Sequence, residues 1–257
     1  MSEVQGLREF LLAFADDEHL MGQQHTEWIG VAPFLEEDLA FSSIAQDELG
    51  HAALLYELVL ELDGIEATDE AVDALAYRRS SADYRSCHLV ERTTPDWAEA
   101  LVRHWIYDTF EAMRWRLVAD SSLRGLGAIA RQAQREEKFH RLHADALLDR
   151  LLGESDARRR ILDAVDTIAP LVPGLCEPAA GEKAAIDADA VAGPTSGLLE
   201  PLERAIAERF ALTVGHGRVA DSPGANSQNG RTRRSDHFEP LMLRMREVLD
   251  FDPKARW

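Results

Sequence analysis

Apolar residues along the first half of the chain recur at steps of three and four positions, which is the spacing of one face of an α-helix. Pro33 interrupts this pattern, Thr94-Pro95-Asp96 provides a cap with proline in the first turn, and Gly153 provides a stop. The pattern predicts long helices over about 6–28, 35–64, 97–119 and 128–152. Four long helices joined by turns predict a bundle.

The rest of the chain shows shorter helical patterns. They predict helices over about 155–168, 198–212 and 238–249, with mixed short pieces over 65–93 and a long connection over 170–197. A stretch rich in Gly, Ser, Asn and Arg predicts a mobile loop over about 215–235. No strand-like alternation is visible, so we predict an all-α protein. We expect one domain over 1–257, with the core bundle over about 5–153 and a helical extension over about 155–257.

Two Glu-x-x-His motifs lie on two of the long helices. Glu48 and His51 are three positions apart on the second helix, and Glu137 and His140 repeat the spacing on the fourth. Side chains three apart project from one face within a single helical turn, so each pair can bind one metal ion together. Either motif alone is weak, because about one such match is expected by chance in a chain of this composition.

Depth along the bundle provides a further test, because antiparallel helices bring residues to one level when they are equally far from the connecting turn. Glu18 lies as far before Pro33 as Glu48 lies after it, whereas Glu27 is about 13 Å short of that level at the helical rise per residue. The same argument on the third helix selects Asp108. Glu111, one turn further along, remains an alternative to Asp108.

The predicted ligand set therefore has four carboxylates and two imidazoles. Its members are Glu18, Glu48, His51, Asp108, Glu137 and His140. This is the ligand set of ferritin-like di-iron bundles. Oxygen and nitrogen donors without thiolate favour two iron ions, with manganese as the alternative and zinc less favoured. We predict no residues that bind another cofactor, and the sequence assigns no catalytic residues beyond the metal site.

Two further acids precede the ligand glutamates. Asp47 and Glu136 are each expected to accept a hydrogen bond from the second ring nitrogen of a ligand histidine, although a surface salt bridge is nearly as good an interpretation of Glu136. The other histidines lack a carboxylate at ligand spacing and are interpreted as packing or exposed residues. His104, one turn from Asp108, is the exception and is a candidate for supporting the ligands.

Composition narrows the function classes. The formal net charge of −18 disfavours general binding to nucleic acid, which needs a basic surface. Arg158–Arg160 and the arginines at 231, 233 and 234 are local exceptions, interpreted mainly as solvated surface residues. Only Cys87 and Cys176 are present, and no signal-like or membrane-spanning segment is found, so we predict a cytoplasmic protein that does not bind a membrane.

Several motifs resemble the bacterial phenylacetyl-CoA epoxidase family. Gln46–His51 (QDELGH) and Glu136–His140 (EEKFH) look like the two metal-binding stretches of its catalytic subunit. Matching Trp28 and Ala32-Pro33 places the family's first-helix glutamate at Glu18. Trp97-Ala98-Glu99, followed by Trp105, is similar to the catalytic subunit's third helix, whose acid falls on Asp108.

Other motifs resemble the related companion subunit of that family. They are Glu27-Trp28, Leu35–Asp38 after Pro33, Asp236–Leu241 and the terminal Trp257. The resemblance implies that companion subunits lack most metal ligands and act as scaffolds, whereas here the full set is present. The chain therefore looks like a companion-type subunit with a catalytic-type metal site.

The resemblance implies a di-iron monooxygenase component that acts on an aromatic or related acyl-CoA thioester with O₂. No flavin, nicotinamide or iron–sulfur motif is visible, so we expect electrons from a separate reductase component. We also expect a related di-iron or scaffold subunit as partner, in a homo- or hetero-oligomer. The alternatives are a non-catalytic scaffold subunit, a ferritin-like ferroxidase or peroxidase, and a tRNA or amino-acid hydroxylase on the same bundle.

Overall fold

A computed structural model of the chain describes residues 2–212 and 231–251. Its four longest helices are α1 (Glu3–Thr26), α2 (Leu35–Asp63), α5 (Trp97–Leu117) and α6 (Leu126–Leu152). The shorter ones are α3 (Asp69–Tyr77), α4 (His88–Glu91), α7 (Ser155–Ile168), α8 (Val172–Leu175), α9 (Glu182–Asp187), α10 (Leu199–Arg209) and α11 (Phe238–Phe251). Short 3₁₀ turns cover Ser81–Asp83, Ala169–Leu171 and Thr195–Leu198. The described residues contain no strand, and the predicted all-α ferritin-like bundle is confirmed.

Local sequence signals set the ends of the long helices. The Ser2 hydroxyl accepts a hydrogen bond from the backbone N–H of Gln5, and Asp96 accepts one from Glu99, so α1 and α5 each begin with a side-chain cap. Gly64 ends α2 in the left-handed region, with φ of 69°, where a side chain would be strained. The helix boundaries predicted from the sequence lie within a few residues of these.

The long helices pack as two pairs. α1 lies against α2, α5 lies against α6, and α2 also contacts α6. α7 and α10 cover α5, while α9 packs on α1. None of the helices in the described ranges is both long and apolar enough to cross a membrane.

The buried apolar residues form two separate clusters along the bundle. One cluster contains Phe10, Trp115 and Ala130, and the other contains Leu20, Phe110 and Leu147. Between them lies a layer of buried charged and polar residues. Its members include Asp16, Asp17, Glu18, Glu48, His51, Asp108, Glu111, Arg114, Glu137 and His140. The polar layer is therefore enclosed by apolar packing at both ends.

The C-terminal segment is tied to the bundle interior. Arg231, which the sequence analysis interpreted as a surface residue, is buried and donates hydrogen bonds to Asp17 (3.0 Å) and to the Leu175 carbonyl (3.1 Å). That interpretation was wrong because buried Asp17 requires a cation. The predicted loop over 215–235 falls mainly outside the described residues. Its described end is bonded to the bundle, since the Ser235 N–H donates to Glu91 at 2.7 Å.

Replacing Gly181 with alanine is expected to destabilise the protein by about 1–3 kcal/mol. A Cβ there would overlap the backbone of Gly6, because α1 and α9 approach each other closely at these two glycines. Urea unfolding followed by circular dichroism measures the change.

Gly197→Ala is the matched control, since a Cβ at Gly197 meets nothing within 4 Å. We expect its free energy of unfolding to stay within about 0.5 kcal/mol of the parent. Equal effects of the two substitutions would contradict the close approach.

Candidate metal centre

The six ligands predicted from the sequence all lie in the polar layer. Their relative exposure is at most 3%, and α1, α2, α5 and α6 contribute them together. Glu27, which the depth argument set aside, lies elsewhere: it is exposed and forms an ion pair with Arg244 at 3.1 Å. The individual ligand assignments remain predictions.

Ligand atoms converge in one half of the layer. Oxygen and nitrogen atoms of Asp108, Glu137 and His140 lie within 4.8 Å of one another, and so do oxygens of Glu48, Asp108 and Glu111. Asp108 belongs to both groups and joins them. Glu111, the alternative to Asp108, lies beside it rather than in its place.

Most carboxylate oxygens in this half have no hydrogen-bond partner. This applies to both oxygens of Asp108, Glu111 and Glu137, and to Oε1 of Glu48. Buried polar atoms are almost always satisfied, and an unpaired buried carboxylate is costly. A cation bound among these oxygens would remove that cost, and the donor set fits Fe(II) or Mn(II).

His140 is oriented toward the same oxygens. Its Nε2 lies 3.1 Å from Oδ2 of Asp47, which fixes the outer side of the ring. Its Nδ1 lies 3.4 Å from Oε1 of Glu137 without hydrogen-bonding geometry and has no other partner. With the Nε2 proton held by Asp47, Nδ1 is free to bind a metal ion.

The other half of the layer is occupied by contacts within the protein. Glu18 Oε1 accepts a hydrogen bond from Arg114 at 2.6 Å, and its Oε2 lies 3.3 Å from Nδ1 of His51. The second ring nitrogen of His51 lies 2.7 Å from Glu136. Both oxygens of Glu18 and both nitrogens of His51 are therefore engaged.

Burial raises the pKa of Glu48 and of Glu111 well above their usual range, and nearby carboxylates add to the shift. Burial likewise raises the pKa of Glu137 to about 7. Glu18 differs: burial alone would raise its pKa, but its neighbours Glu111 and His51 and the charge of Arg114 lower it. The ionised form of Glu18 is thus favoured beside its own cation, while the raised pKa values of the other carboxylates favour their protonated forms when no metal ion is bound.

Two histidines that the sequence analysis interpreted differently contact the ligands. His25 was interpreted as a packing residue, but its Nδ1 lies 2.9 Å from Oε2 of Glu48. That interpretation was wrong because Glu48 comes from another helix, so spacing along α1 does not reveal the contact. His104 was a candidate for supporting the ligands, and its Nδ1 lies 3.1 Å from Asp108.

A cavity of about 330 Å³ between α5 and α6 reaches the layer from the surface. Glu137 lines it, so one predicted ligand faces an entry path. Arg116, Lys138 and Arg141 contribute positive charge to the same walls. The cavity can admit a small molecule or the anionic part of a larger one.

Comparison with known proteins places the motifs in a family. The family model described as phenylacetic acid catabolic protein matches residues 2–257. One of the subunits of 1,2-phenylacetyl-CoA epoxidase from Escherichia coli (strain K12) is 30% identical over 150 residues. The match covers 58% of this chain and 59% of that relative, so the chain spans about three fifths of the relative's length. The family resemblance seen in the motifs is confirmed.

Glu48→Ala and His140→Ala are each expected to lower the iron content by about one ion per chain after anaerobic reconstitution, because both side chains face the unpartnered oxygens. Glu27→Ala should leave it near normal, since Glu27 pairs with Arg244 instead. Elemental analysis after desalting measures the content. Equal losses of iron in all three variants would contradict the choice of Glu18 over Glu27 as the acid of the first helix that lies at the level of Glu48.

Metal affinity is expected to fall as the pH is lowered from about 8 to about 6, because protons compete for the ligand atoms.

The stability of the metal-free protein is also expected to depend on pH through Glu137. The pKa of Glu137 is about 7 in the folded state and 4.5 in the unfolded state, so between these values only the folded state holds the proton. The contribution of Glu137 to the free energy of unfolding is therefore largest below pH 4.5 and is lost as the pH rises through about 7.

Urea unfolding of the metal-free protein between about pH 4.5 and pH 7 tests whether the free energy of unfolding falls as the pH rises. Glu137→Gln should flatten this part of the profile. A metal-free parent protein that becomes more stable as the pH rises through the window, with Glu137→Gln unchanged from it, would contradict the raised pKa.

Proposed function

We propose that this chain, which belongs to the phenylacetic acid catabolic protein family, is an iron-binding subunit of a phenylacetyl-CoA epoxidase-type monooxygenase. Its substrate would be an aromatic or related acyl-CoA thioester, oxidised by O₂ with electrons from a separate reductase. The observation that carries the proposal is the group of buried carboxylates without hydrogen-bond partners in the polar layer. Such a group is stable only with a cation or with bound protons.

The chain's own residues would prepare the site. Asp108, Glu137 and Nδ1 of His140 would hold the ion, and Glu48 and Glu111 converge on Asp108 in a second group. Asp47 would keep the His140 ring in place, and His25 would do the same for Glu48. The apolar clusters at both ends of the layer would exclude water. When bound, iron supplies the one-electron chemistry toward O₂ that side chains lack.

The two-iron form of the proposal uses all six predicted ligands. It requires Glu18 and His51 to turn toward a second ion, and each would first have to leave its present protein partners. Asp108 would be shared by the two sets of ligands, since it belongs to both groups of converging atoms.

The cavity beside Glu137 is the candidate entry for substrate. Its arginine and lysine side chains match the phosphate charges of a CoA thioester, which the acidic surface elsewhere would repel. We include in the proposal a related subunit as partner in an oligomer, and the cytoplasmic location predicted from the sequence. The named relative is itself a subunit of an epoxidase.

A non-catalytic scaffold subunit is the second candidate. The observation that favours it is the ion pair between Arg114 and Glu18, which satisfies one predicted ligand without any metal. Under this alternative the carboxylates around Asp108 would be neutralised by protons. Their raised pKa values are compatible with that.

Anaerobic reconstitution with Fe(II), followed by assay with the reductase, a related subunit and phenylacetyl-CoA, tests the leading proposal. We expect bound iron and an epoxidised thioester detected by mass spectrometry, with both lost in Asp108→Asn because its carboxylate joins the two ligand groups. Less than about half an iron per chain would contradict iron binding. Product formation that requires the related subunit but is unaffected by Asp108→Asn would favour the scaffold role. Oxidation of Fe(II) that is indifferent to any acyl-CoA would favour a ferroxidase.

A further inference from the structure

We infer that the polar layer binds a single metal ion and that the guanidinium of Arg114 occupies the place of a second cation. The inference rests on the proposed iron binding and changes its stoichiometry. It follows from the different partners of the carboxylates in the two halves of the layer.

Arg114 is buried to 4% exposure and points into the layer from α5. Its Nη1 lies 2.9 Å from Oδ2 of Asp17, and its Nη2 lies 2.6 Å from Oε1 of Glu18. The same Nη2 donates to the Tyr107 hydroxyl at 3.0 Å and lies 3.8 Å from Oε1 of Glu111. One guanidinium thus meets three carboxylates from two helices, as a metal ion would.

The position of Arg114 is fixed from several sides. Its guanidinium carbon lies 3.8 Å from the ring centre of Phe14 and 4.9 Å from that of Phe110, so both aromatic faces hold the cation. Asp17, its main partner, is itself held by the Cys87 N–H at 2.9 Å and by Arg231 at 3.0 Å. Arg114 would therefore have to break several charge-assisted contacts to leave.

No guanidinium of the described residues makes such contacts in the opposite half of the layer, although the buried Arg103 is close enough to interact with the charge of Glu48. Within the described ranges, no arginine or lysine lies within 4.0 Å of a carboxylate oxygen of Glu48, Asp108 or Glu137. Their histidine contacts, including His140 Nδ1 at 3.4 Å from Glu137, leave the oxygens of Asp108 and Glu137 without hydrogen bonds. Together with His140 and Glu111 they form the groups in which ligand atoms converge, whereas Glu18 and His51 belong to neither group. Glu111 lies at the boundary, 3.8 Å from Arg114, so the carboxylates that most need a divalent ion are those around Asp108, Glu137 and Glu48.

Electrostatics disfavours a second ion while Arg114 stays in place. Burial lowers the pKa of an arginine, but Tyr107, Glu18 and Asp17 raise that of Arg114 beyond its usual value, so the guanidinium keeps its charge. A divalent ion at Glu18 would meet that fixed charge in a region of low dielectric and would be repelled. Glu18 and His51 are therefore positioned to bind Arg114 and Glu136 rather than iron.

Anaerobic titration of the full-length protein with Fe(II) tests the inference directly. We expect saturation at about one ion per chain, and after oxidation an electron paramagnetic resonance signal of an isolated high-spin ferric ion. About two ions per chain, forming an exchange-coupled pair without that signal, would overturn the inference while leaving the proposed function intact. No bound iron would overturn both.

Arg114→Gln removes the cation and should raise saturation from about one to about two ions, with the signal of the isolated ion replaced by a coupled pair. Arg79→Gln is the matched control, because Arg79 is also an internal arginine paired with an aspartate of α1, Asp16. Its saturation should remain at about one. A folded Arg114→Gln protein that still binds one ion would overturn the role of Arg114.

Glu18→Gln keeps the inference testable if Arg114→Gln does not fold. Saturation in this variant should remain at about one ion with unchanged affinity, because Glu18 is not a ligand of the single ion. An affinity loss of about tenfold or more in Glu18→Gln would overturn the inference, since a ligand of the ion would then have been removed.

Discussion

Carboxylates buried in the middle of a helical bundle must be offset by positive charge or by protons, and this requirement explains much of the structure around the polar layer. Asp16 is offset by Arg79, and Asp17 by both Arg114 and Arg231. Breaking one such buried pair leaves an uncompensated charge and is strongly destabilising, so these contacts define one arrangement of the helices. The carboxylates around Asp108 are the exception, and that exception identifies the candidate metal centre.

The same requirement connects distant parts of the chain. Arg231 and Arg234 lie in the C-terminal segment, yet they bind Asp17 and Glu91 on the bundle side. The extension is therefore part of the electrostatics of the layer as well as a cover for α5. A chain of contacts runs from Arg231 through Asp17 and Arg114 to Glu18. Through it, the C-terminal segment helps to fix the half of the layer that is already satisfied by protein groups.

Family membership and geometry bear on different parts of the functional question. The family relates the chain to phenylacetate catabolism and to a subunit of an epoxidase. The geometry distinguishes a half of the layer that needs a cation from a half that contains Arg114. The polar layer combines residues predicted to bind a metal ion with an internal ion pair between Arg114 and Glu18.

The long helices, their approximate ends and the all-α bundle could be predicted from local patterns in the sequence. The reason is that each of these features depends on residues a few positions apart: the hydrophobic spacing along a helix, the cap that Asp96 provides for α5 and the end that Gly64 provides for α2. The Glu-x-x-His pairs could be read for the same reason, since Glu137 and His140 share one helical turn. Distance from the connecting turn placed Glu18 at the level of Glu48, and in the structure Glu18 contacts His51, one helical turn further along α2.

The partner of each buried charged residue depends on how the helices pack and could not be predicted in this way. Arg114 and Glu18 are 96 positions apart, and Arg231 and Asp17 are 214 apart, so no local pattern indicates either contact. His25 could not be assigned from spacing either, because its partner Glu48 lies on another helix. Periodicity shows which face of a helix is buried, whereas the packing of several helices decides whether a buried carboxylate faces a guanidinium, an imidazole or a site for a metal ion.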